Sequence, residues 1–275
     1  MVRIALFQSC AGIDPRANAD ALIDAIGQAS AGEAKILFTP EMSGLLDRDS
    51  PRASKNVRLE EHDEVLVACR DAAARHGLWV HLGSLAVQSE DGKRANRGFV
   101  IDPTGAVRAR YDKIHLFDVD LPTGESWRES AIFRAGEGAV LVADTPVGRL
   151  GLTICYDLRF PELFSRLAEA RADAIAVPAA FTVPTGRAHW EVLLRARAIE
   201  SEAFVIAAAQ SGRHADGRET YGHSLVVSPW GEVQLDMGEG IGVGFAELEL
   251  SRVDEVRRRI PVLEHRRAIP AAVVQ

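Results

Sequence analysis

Short apolar runs alternate with amphipathic stretches from the first residues of the chain. Val2 to Gln8 is an apolar run of strand length. Asp14-Pro15 then supplies a helix cap and a first-turn proline, and Leu22, Ala25, Ile26 and Ala29 carry the helical period. Lys35 to Thr39 reads as the next strand, stopped by Pro40. Leu59, Leu66, Cys69 and Ala73 predict an amphipathic helix whose polar face holds Glu60, Glu61, Asp63 and Glu64, and Leu78 to Leu85 predicts a strand.

The pattern then shifts toward hairpins. Asn96 to Tyr111 holds two runs around Asp102-Pro103-Thr104-Gly105, and Ala139 to Cys155 repeats the arrangement around Thr145-Pro146-Val147-Gly148. Pro161 to Arg171 reads as a helix and Asp173 to Val177 as a strand. The helix predicted over Arg187 to Ala203 places Val192, Ala196, Ile199 and Ala203 on one face, with Glu191 and Arg195 as an exposed i,i+4 pair. Phe204 to Gln210 is a buried strand, and Ser224 to Leu235 a hairpin around Pro229-Trp230-Gly231. After Glu249, Ser251 and Asp254 read as a capping box for a last short helix ended by Pro261. Strands joined by both helices and hairpins predict an α/β protein with mixed sheets. No repeat, linker or low-complexity stretch divides residues 1–275, so a single domain is expected, with 251–275 as a basic C-terminal tail that docks on the domain or on a partner subunit.

Composition narrows the function. The chain has 275 residues, 47% of them hydrophobic, and a formal net charge of −7. That is an ordinary globular composition without the basic surface of a phosphate-backbone binder, so no nucleic-acid partner is expected. No apolar run approaches a bilayer span, and the N-terminal run is too short for a signal-peptide core, so no membrane partner is expected either. Three cysteines cannot all pair within one chain and none forms a CxxC, which points to a reducing, cytoplasmic setting. There is neither HExxH nor a Cys/His cluster at zinc spacing, so no metal or other cofactor is expected.

Cys155 is the first candidate for chemistry. It closes an apolar strand and precedes the helix at Pro161, and a strand-to-helix turn exposes a nucleophile near backbone N–H groups that favour a thiolate or an oxyanion. The competing reading is a buried structural thiol, the one adopted for Cys10 and Cys69. A cysteine protease would need a histidine base, for which His115, His189 and His223 lie near element ends. Glu41 follows one predicted strand and Lys113 another, so both can converge with Cys155 at a sheet edge, although each alone reads as an ordinary surface charge. Gly240 to Gly244 reads as a glycine-rich loop entering a strand rather than a phosphate loop.

Three segments carry a resemblance. Phe38-Thr39-Pro40-Glu41, Tyr111-Asp112-Lys113-Ile114-His115-Leu116 and Ile154-Cys155-Tyr156-Asp157-Leu158-Arg159-Phe160-Pro161-Glu162-Leu163 resemble, in order, the three catalytic blocks of the nitrilase superfamily of carbon–nitrogen hydrolases. The resemblance implies an α-β-β-α sandwich with two mixed sheets, a homodimer that joins sheets across subunits, and a Glu-Lys-Cys triad. Cys155 would be the nucleophile, Glu41 the base, and Lys113 with the Tyr156 N–H the oxyanion stabilisers. Trp127-Arg128-Glu129-Ser130 is similar to the place of a second glutamate, which makes Glu129 a positioning residue.

The stretch from Ala188 to His214, followed by Tyr221-Gly222-His223-Ser224, is most similar to the deaminated glutathione amidase branch, with the ω-amidases next. Deaminated glutathione, cleaved to 2-oxoglutarate and cysteinylglycine, is therefore the substrate the resemblance implies, with α-ketoglutaramate or α-ketosuccinamate (an ω-amidase), or an N-carbamoyl compound, as alternatives. The small-molecule amides of the first two branches carry a 2-oxo-carboxylate, and Arg159 can either bind it or form an ion pair with Asp157 or Glu162. Thr185 and Arg187 read as a helix cap and a solvated charge or as pocket residues, and Thr185 is retained with Tyr156 and Arg159 as a candidate substrate contact. Asp112, where many relatives carry arginine, and Thr182-Val183-Pro184-Thr185 depart from the common pattern. Two rivals keep the fold without the reaction: a non-catalytic binding protein, and a thiol redox sensor centred on Cys155.

Overall fold

The computed structural model describes residues 1–89, 92–120, 124 and 126–273. In β1 (Val2–Gln8) the side chains alternate, Ile4 and Leu6 entering one core and Ala5 and Phe7 another, as in a strand covered on both faces. α1 (Pro15–Ala31) is capped by Asp14, which accepts the Arg16 N–H at 3.0 Å. Then come β2 (Ile36–Phe38), a short α2 (Ser50–Ser54), α3 (Glu64–His76) and the strands β3 (Trp79–Gln88), β4 (Arg94–Ile101) and β5 (Val107–Asp112). A small ribbon of β6 (Asp118–Asp120) and β7 (Ser126–Arg128) precedes the hairpin β8 (Val140–Thr145) and β9 (Gly148–Leu152). The second half runs through α4 (Pro161–Glu169), β10 (Ala174–Ala176), α5 (Val183–Ser201) and β11 (Phe204–Ala207). The ribbon β12 (Ser211–Arg213) with β13 (Glu219–Tyr221) follows, then β14 (Leu225–Val227), β15 (Val233–Asp236) and β16 (Gly242–Leu248). The helices α6 (Ser251–Arg259) and α7 (Val262–His265) come last.

One six-stranded sheet is ordered β16-β1-β2-β3-β4-β5 and the other β15-β14-β11-β10-β9-β8. Read from β5 and from β15, both show the same succession of pairings: antiparallel, antiparallel, parallel, parallel, antiparallel. α1 and α3 cover the outer face of the first sheet, and α4 and α5 pack with the second. Ile4, Leu6 and Phe38 from one sheet share a core with Leu150, Leu152 and Ile206 from the other, which makes the predicted α-β-β-α sandwich.

Three local expectations are corrected. α3 starts at Glu64, because the Asp63 side chain accepts the Leu66 N–H at 2.9 Å and fixes the cap there; Leu59 is 38% exposed and Glu60–His62 is a separate 3-10 turn. α5 starts earlier than predicted and turns its other stripe inward. Val192 and Ile199 are 65% and 51% exposed, whereas Trp190, Leu194 and Ala198 are buried. Trp190 decides this by packing on Phe181 and donating its indole N–H to His223 O at 2.8 Å. The Ser251 capping box does not form, since Leu250 is already helical and the Ser251 hydroxyl donates to Glu249 instead. The tail docks on its own domain in part: Arg257 reaches Ala172 O and Asp173, and Arg266 reaches Ser165 O and Glu169. The last two residues of the predicted tail lie outside the described residues.

Candidate active site

Glu41, Lys113 and Cys155 follow β2, β5 and β9, so the topology delivers three distant segments to one end of the sandwich. Their side chains are buried, at 4%, 2% and 8% exposure. Two of the backbones there adopt a conformation unusual for a residue with a side chain: Cys155 has φ +49° and Met42, next to Glu41, has φ +54°. Such left-handed residues cost free energy that the surroundings must hold in place, and they are common at reacting centres. The Cys155 N–H donates to Pro178 O at 2.9 Å, which fixes the turn. Glycine is required at Gly83, where a Cβ would sit 2.1 Å from Thr39 O and 2.4 Å from Pro40 O; only a bare backbone lets β3 approach the segment that carries Glu41.

The charges interlock. Glu41 Oε1 accepts from Lys113 Nζ and from Asn96 Nδ2, both at 2.9 Å, and Oε2 accepts the Ala180 N–H at 3.0 Å. Lys113 Nζ also donates to Glu129 at 2.9 and 3.2 Å. Glu129 is anchored by the Phe117 N–H at 2.7 Å and by Asn96 Nδ2 at 3.2 Å. The Glu41 carboxylate hydrogen-bonds the Cys155 thiol. Burial alone would raise the Glu41 pKa, but Lys113 and the hydrogen bonds from Cys155, Lys113 and Asn96 outweigh it and hold it below the usual carboxylate range. Burial and then the Glu41 charge push the Cys155 thiol well up, against the opposing pull of Lys113. Burial works against the Lys113 ammonium, yet Glu129, Glu41 and Cys155 raise its pKa well above the ordinary lysine value. The resting pair is therefore a thiol beside a carboxylate, with a permanent cation adjacent. This arrangement can take a proton from sulfur as the sulfur attacks, and can stabilise negative charge on an oxygen.

A second carboxylate organises the backbone. Asp157, fully buried, accepts from Ile154 N at 2.9 Å, His115 N at 3.0 Å and Tyr111 Oη at 2.7 Å, and its Oδ1 lies 2.7 Å from His115 Nδ1. It thus ties the turn carrying Cys155 to the segment carrying Lys113. Sequence reasoning missed Asn96 and gave Asp157 only a possible ion pair with Arg159. Nothing in the local pattern marks Asn96, whose partners come from other elements, and for Asp157 only the Ile154 N–H is local, while Tyr111 and His115 come from elsewhere in the chain.

The site opens into a cavity of about 330 Å³. Tyr156, Arg159, Thr185, Glu129 and the three converging residues line it. Tyr156 packs edge-on to Phe117 and Phe160, at 5.0 and 5.3 Å between ring centres. Arg159 is not paired with Asp157 or Glu162: its guanidinium lies 5.3 Å from the Phe181 ring centre, with Nη1 3.3 Å from His189 Nδ1. Thr185 Oγ1 lies 2.8 Å from Thr182 Oγ1 in the first turn of α5, so it belongs to both the helix start and the cavity wall, whereas Arg187 is exposed. The three histidines considered as bases bond elsewhere: His115 to Asp157, His189 to Arg159 and His223 to Asp236. Asp112 forms a two-pronged pair with Arg97, at 2.6 and 2.9 Å, and accepts from Arg134. Among the described residues no helix is long and apolar enough to cross a membrane.

The carbon–nitrogen hydrolase family matches residues 3–258 of the chain. The chain belongs to that family. The hydrolase is 40% identical to a deaminated glutathione amidase of Yersinia enterocolitica, over 98% of this chain and 94% of that protein. Its fold superposes on the NitFhit protein of C. elegans with a TM-score of 0.89 at 38% identity, covering 97% of this chain and 65% of that one. Saccharomyces cerevisiae Nit3, a member of branch 10 of the nitrilase superfamily, gives a TM-score of 0.84 at 26% identity, over 95% and 94% of the two chains. The hydrolase is thus a nitrilase-superfamily enzyme acting on carbon–nitrogen bonds other than peptide bonds, as the three sequence blocks predicted.

Proposed function

We propose that this hydrolase is a thiol amidase that cleaves deaminated glutathione to 2-oxoglutarate and cysteinylglycine. The observation that supports the reaction is the meeting of Glu41, Lys113, Glu129 and Cys155 in one buried hydrogen-bonded group. Cys155 Sγ attacks the amide carbon as Glu41 takes its proton, and the carbonyl electrons move to oxygen. Lys113 Nζ and the Tyr156 N–H hold that oxyanion. Collapse breaks the C–N bond, the amine leaves with the proton from Glu41, and a thioester remains. Water, giving a proton to Glu41, adds to the thioester, and cleavage of the C–S bond returns that proton to sulfur and releases the acid. An oxyanion donor contributes about 10²–10³ in rate and a general base roughly 10²–10⁴. Glu129 and Asn96 position Lys113 and Glu41.

The choice of substrate rests on the similarity to enzymes named deaminated glutathione amidase, at 40% and 37% identity in Yersinia enterocolitica and Homo sapiens. Arg159, without a carboxylate partner among the described residues, supplies a cation for the 2-oxo-carboxylate, beside Tyr156 and Thr185. We further place the enzyme in the cytoplasm as a homodimer with no nucleic-acid partner and no cofactor. Release of 2-oxoglutarate from deaminated glutathione and of ammonia from α-ketoglutaramate, with Cys155→Ala as control, tests the reading. Higher kcat/KM on deaminated glutathione, abolished in the variant, is expected; preference for α-ketoglutaramate would move the enzyme to ω-amidase activity, and no turnover of either would overturn the proposal.

A further inference from the structure

One part of the cavity wall lies apart from the reacting groups. It is built from the segment after Glu41, the β6–β7 ribbon and the β12–β13 ribbon, and it brings two guanidinium groups over the Trp127 ring. Arg48 lies 5.3 Å and Arg218 5.0 Å from the Trp127 ring centre. The arrangement is fixed from behind by Asp216, whose side chain is fully buried. Its carboxylate accepts the Arg48 backbone N–H at 2.8 Å, from 168 residues away, together with Arg218 Nε at 2.7 Å and Arg218 N at 3.0 Å.

Asp216 thereby engages Arg48 through its backbone and Arg218 through N and Nε. Among the described residues no carboxylate forms an ion pair with the Arg48 guanidinium. Among the described residues the buried Trp127 Nε1 has no hydrogen-bond partner, which is rare for a buried donor and calls for an acceptor. Of the other charges on the same wall, Asp47 is committed to Arg52 at 2.7 Å, Arg128 is held by Asp120, and Glu219 is exposed. Among the described residues the Arg94 guanidinium donates to the neutral oxygens of Ser50 and Ser54. The wall thus carries an excess of cations in a protein whose net charge is −7.

A row of aromatic rings joins this wall to the nucleophile. Tyr156, next to Cys155, lies 5.0 Å from Phe117, and Phe117 lies 6.4 Å from Trp127, between ring centres. An extended dipeptide spans about 7 Å, more than the 5.0 Å step from Tyr156 to Phe117, so it carries its carboxylate past Phe117 toward Trp127.

We propose that Arg48, Arg218 and the Trp127 indole N–H form an anion subsite that binds the carboxylate of the departing amine. The preferred substrate is then an amide of an amino-acid-like or dipeptide-like amine, because an amide that releases ammonia leaves this subsite empty. The inference deepens the proposed function and rests on it for the acyl half of the substrate.

The test varies the ligand before the protein. 2-Oxoglutaryl-cysteinylglycine with a free C-terminal carboxylate is compared with the same compound as its C-terminal amide, on the wild-type enzyme and on Arg48→Gln, Arg218→Gln and the double variant. The wild type favours the acid by about tenfold in kcat/KM, the size of a charge-assisted hydrogen bond, and the ratio shrinks with added salt. In the double variant the acid-to-amide ratio approaches one, and Trp127→Phe lowers it in part. Equal kcat/KM for acid and amide on the wild type, or a preference that the double variant retains, overturns the subsite. Titration of both compounds into Cys155→Ala separates this outcome from failure of the proposed reaction. Tighter binding of the acid supports the subsite even if no 2-oxo amide is turned over, whereas equal affinity, or no binding of either, overturns it.

Discussion

Replacing Asp157 by alanine tests whether one carboxylate holds the two halves of the site in register. The change removes the acceptor for Tyr111 Oη, Ile154 N, His115 N and the nearby His115 ring. Tyr111 and Ile154 are each 1% exposed, so water cannot replace the lost acceptor for these two donors. A buried donor left unsatisfied costs roughly 1–3 kcal/mol, which gives about 2–6 kcal/mol for the pair. For a chain of this size that corresponds to a fall in Tm of about 5–15 °C. Tyr111→Phe alone costs about 1–2 kcal/mol, because Asp157 keeps its other donors. In the Asp157→Ala background the same change costs nothing or stabilises, since it deletes an orphaned hydroxyl. Urea unfolding of the four proteins closes the cycle, with unchanged m-values as the check that midpoint shifts report stability. Activity falls with stability: once the Cys155 turn and the Lys113 segment drift by about 1 Å, kcat/KM drops roughly 10²-fold. Additivity of the two substitutions within about 0.5 kcal/mol would refute the shared-carboxylate account.

Glu41→Gln separates two roles. It removes the negative charge that raises the Cys155 pKa while Lys113 still lowers it, so iodoacetamide alkylation of Cys155 shifts to lower pH. Amide turnover falls in the same protein by roughly 10²–10⁴ because the proton acceptor is gone; an unshifted alkylation profile counts against the charge assignment. Gly83→Ala drives a methyl group into Thr39 O and Pro40 O and displaces Glu41, with an expected loss of about 1–3 kcal/mol in stability and a drop in kcat, both absent if β3 simply relaxes. His81 is buried, its Nδ1 has no partner among the described residues, and desolvation lowers its pKa from 6.5 to about 3. Its unfolded form takes up the proton first, so stability is unaffected above about pH 6.5 and falls by about 1.4 kcal/mol per unit below that, down to about pH 3. Replacement of His81 by phenylalanine flattens that slope in denaturant midpoints measured between pH 7 and 4.

Much of this protein is legible along the chain because its signals are local. Asp14-Pro15 starts α1, Asp102-Pro103-Thr104-Gly105 turns β4 into β5, and Pro229-Trp230-Gly231 turns β14 into β15, each through backbone preferences confined to a few residues. The three blocks around Glu41, Lys113 and Cys155 are equally local, and they pointed to the family before any fold was in hand. What the chain could not reveal is which of two competing local solutions tertiary contacts select. α5 carries two apolar stripes, and Trp190 against Phe181 chose the one that periodicity did not. The predicted cap at Ser251 gave way because the helix includes Ser251 itself, with Leu250 in the cap position. Asn96 gains its meaning from two glutamates 55 and 33 residues away, and Asp157 from joining its own turn to Tyr111 and His115, 46 and 42 residues away. Hydrogen bonds between distant segments leave no period in a sequence. Local propensity therefore determined most of the elements, the resemblance of three short blocks pointed to the candidate reacting groups, and the folded structure alone decided what holds those groups in position.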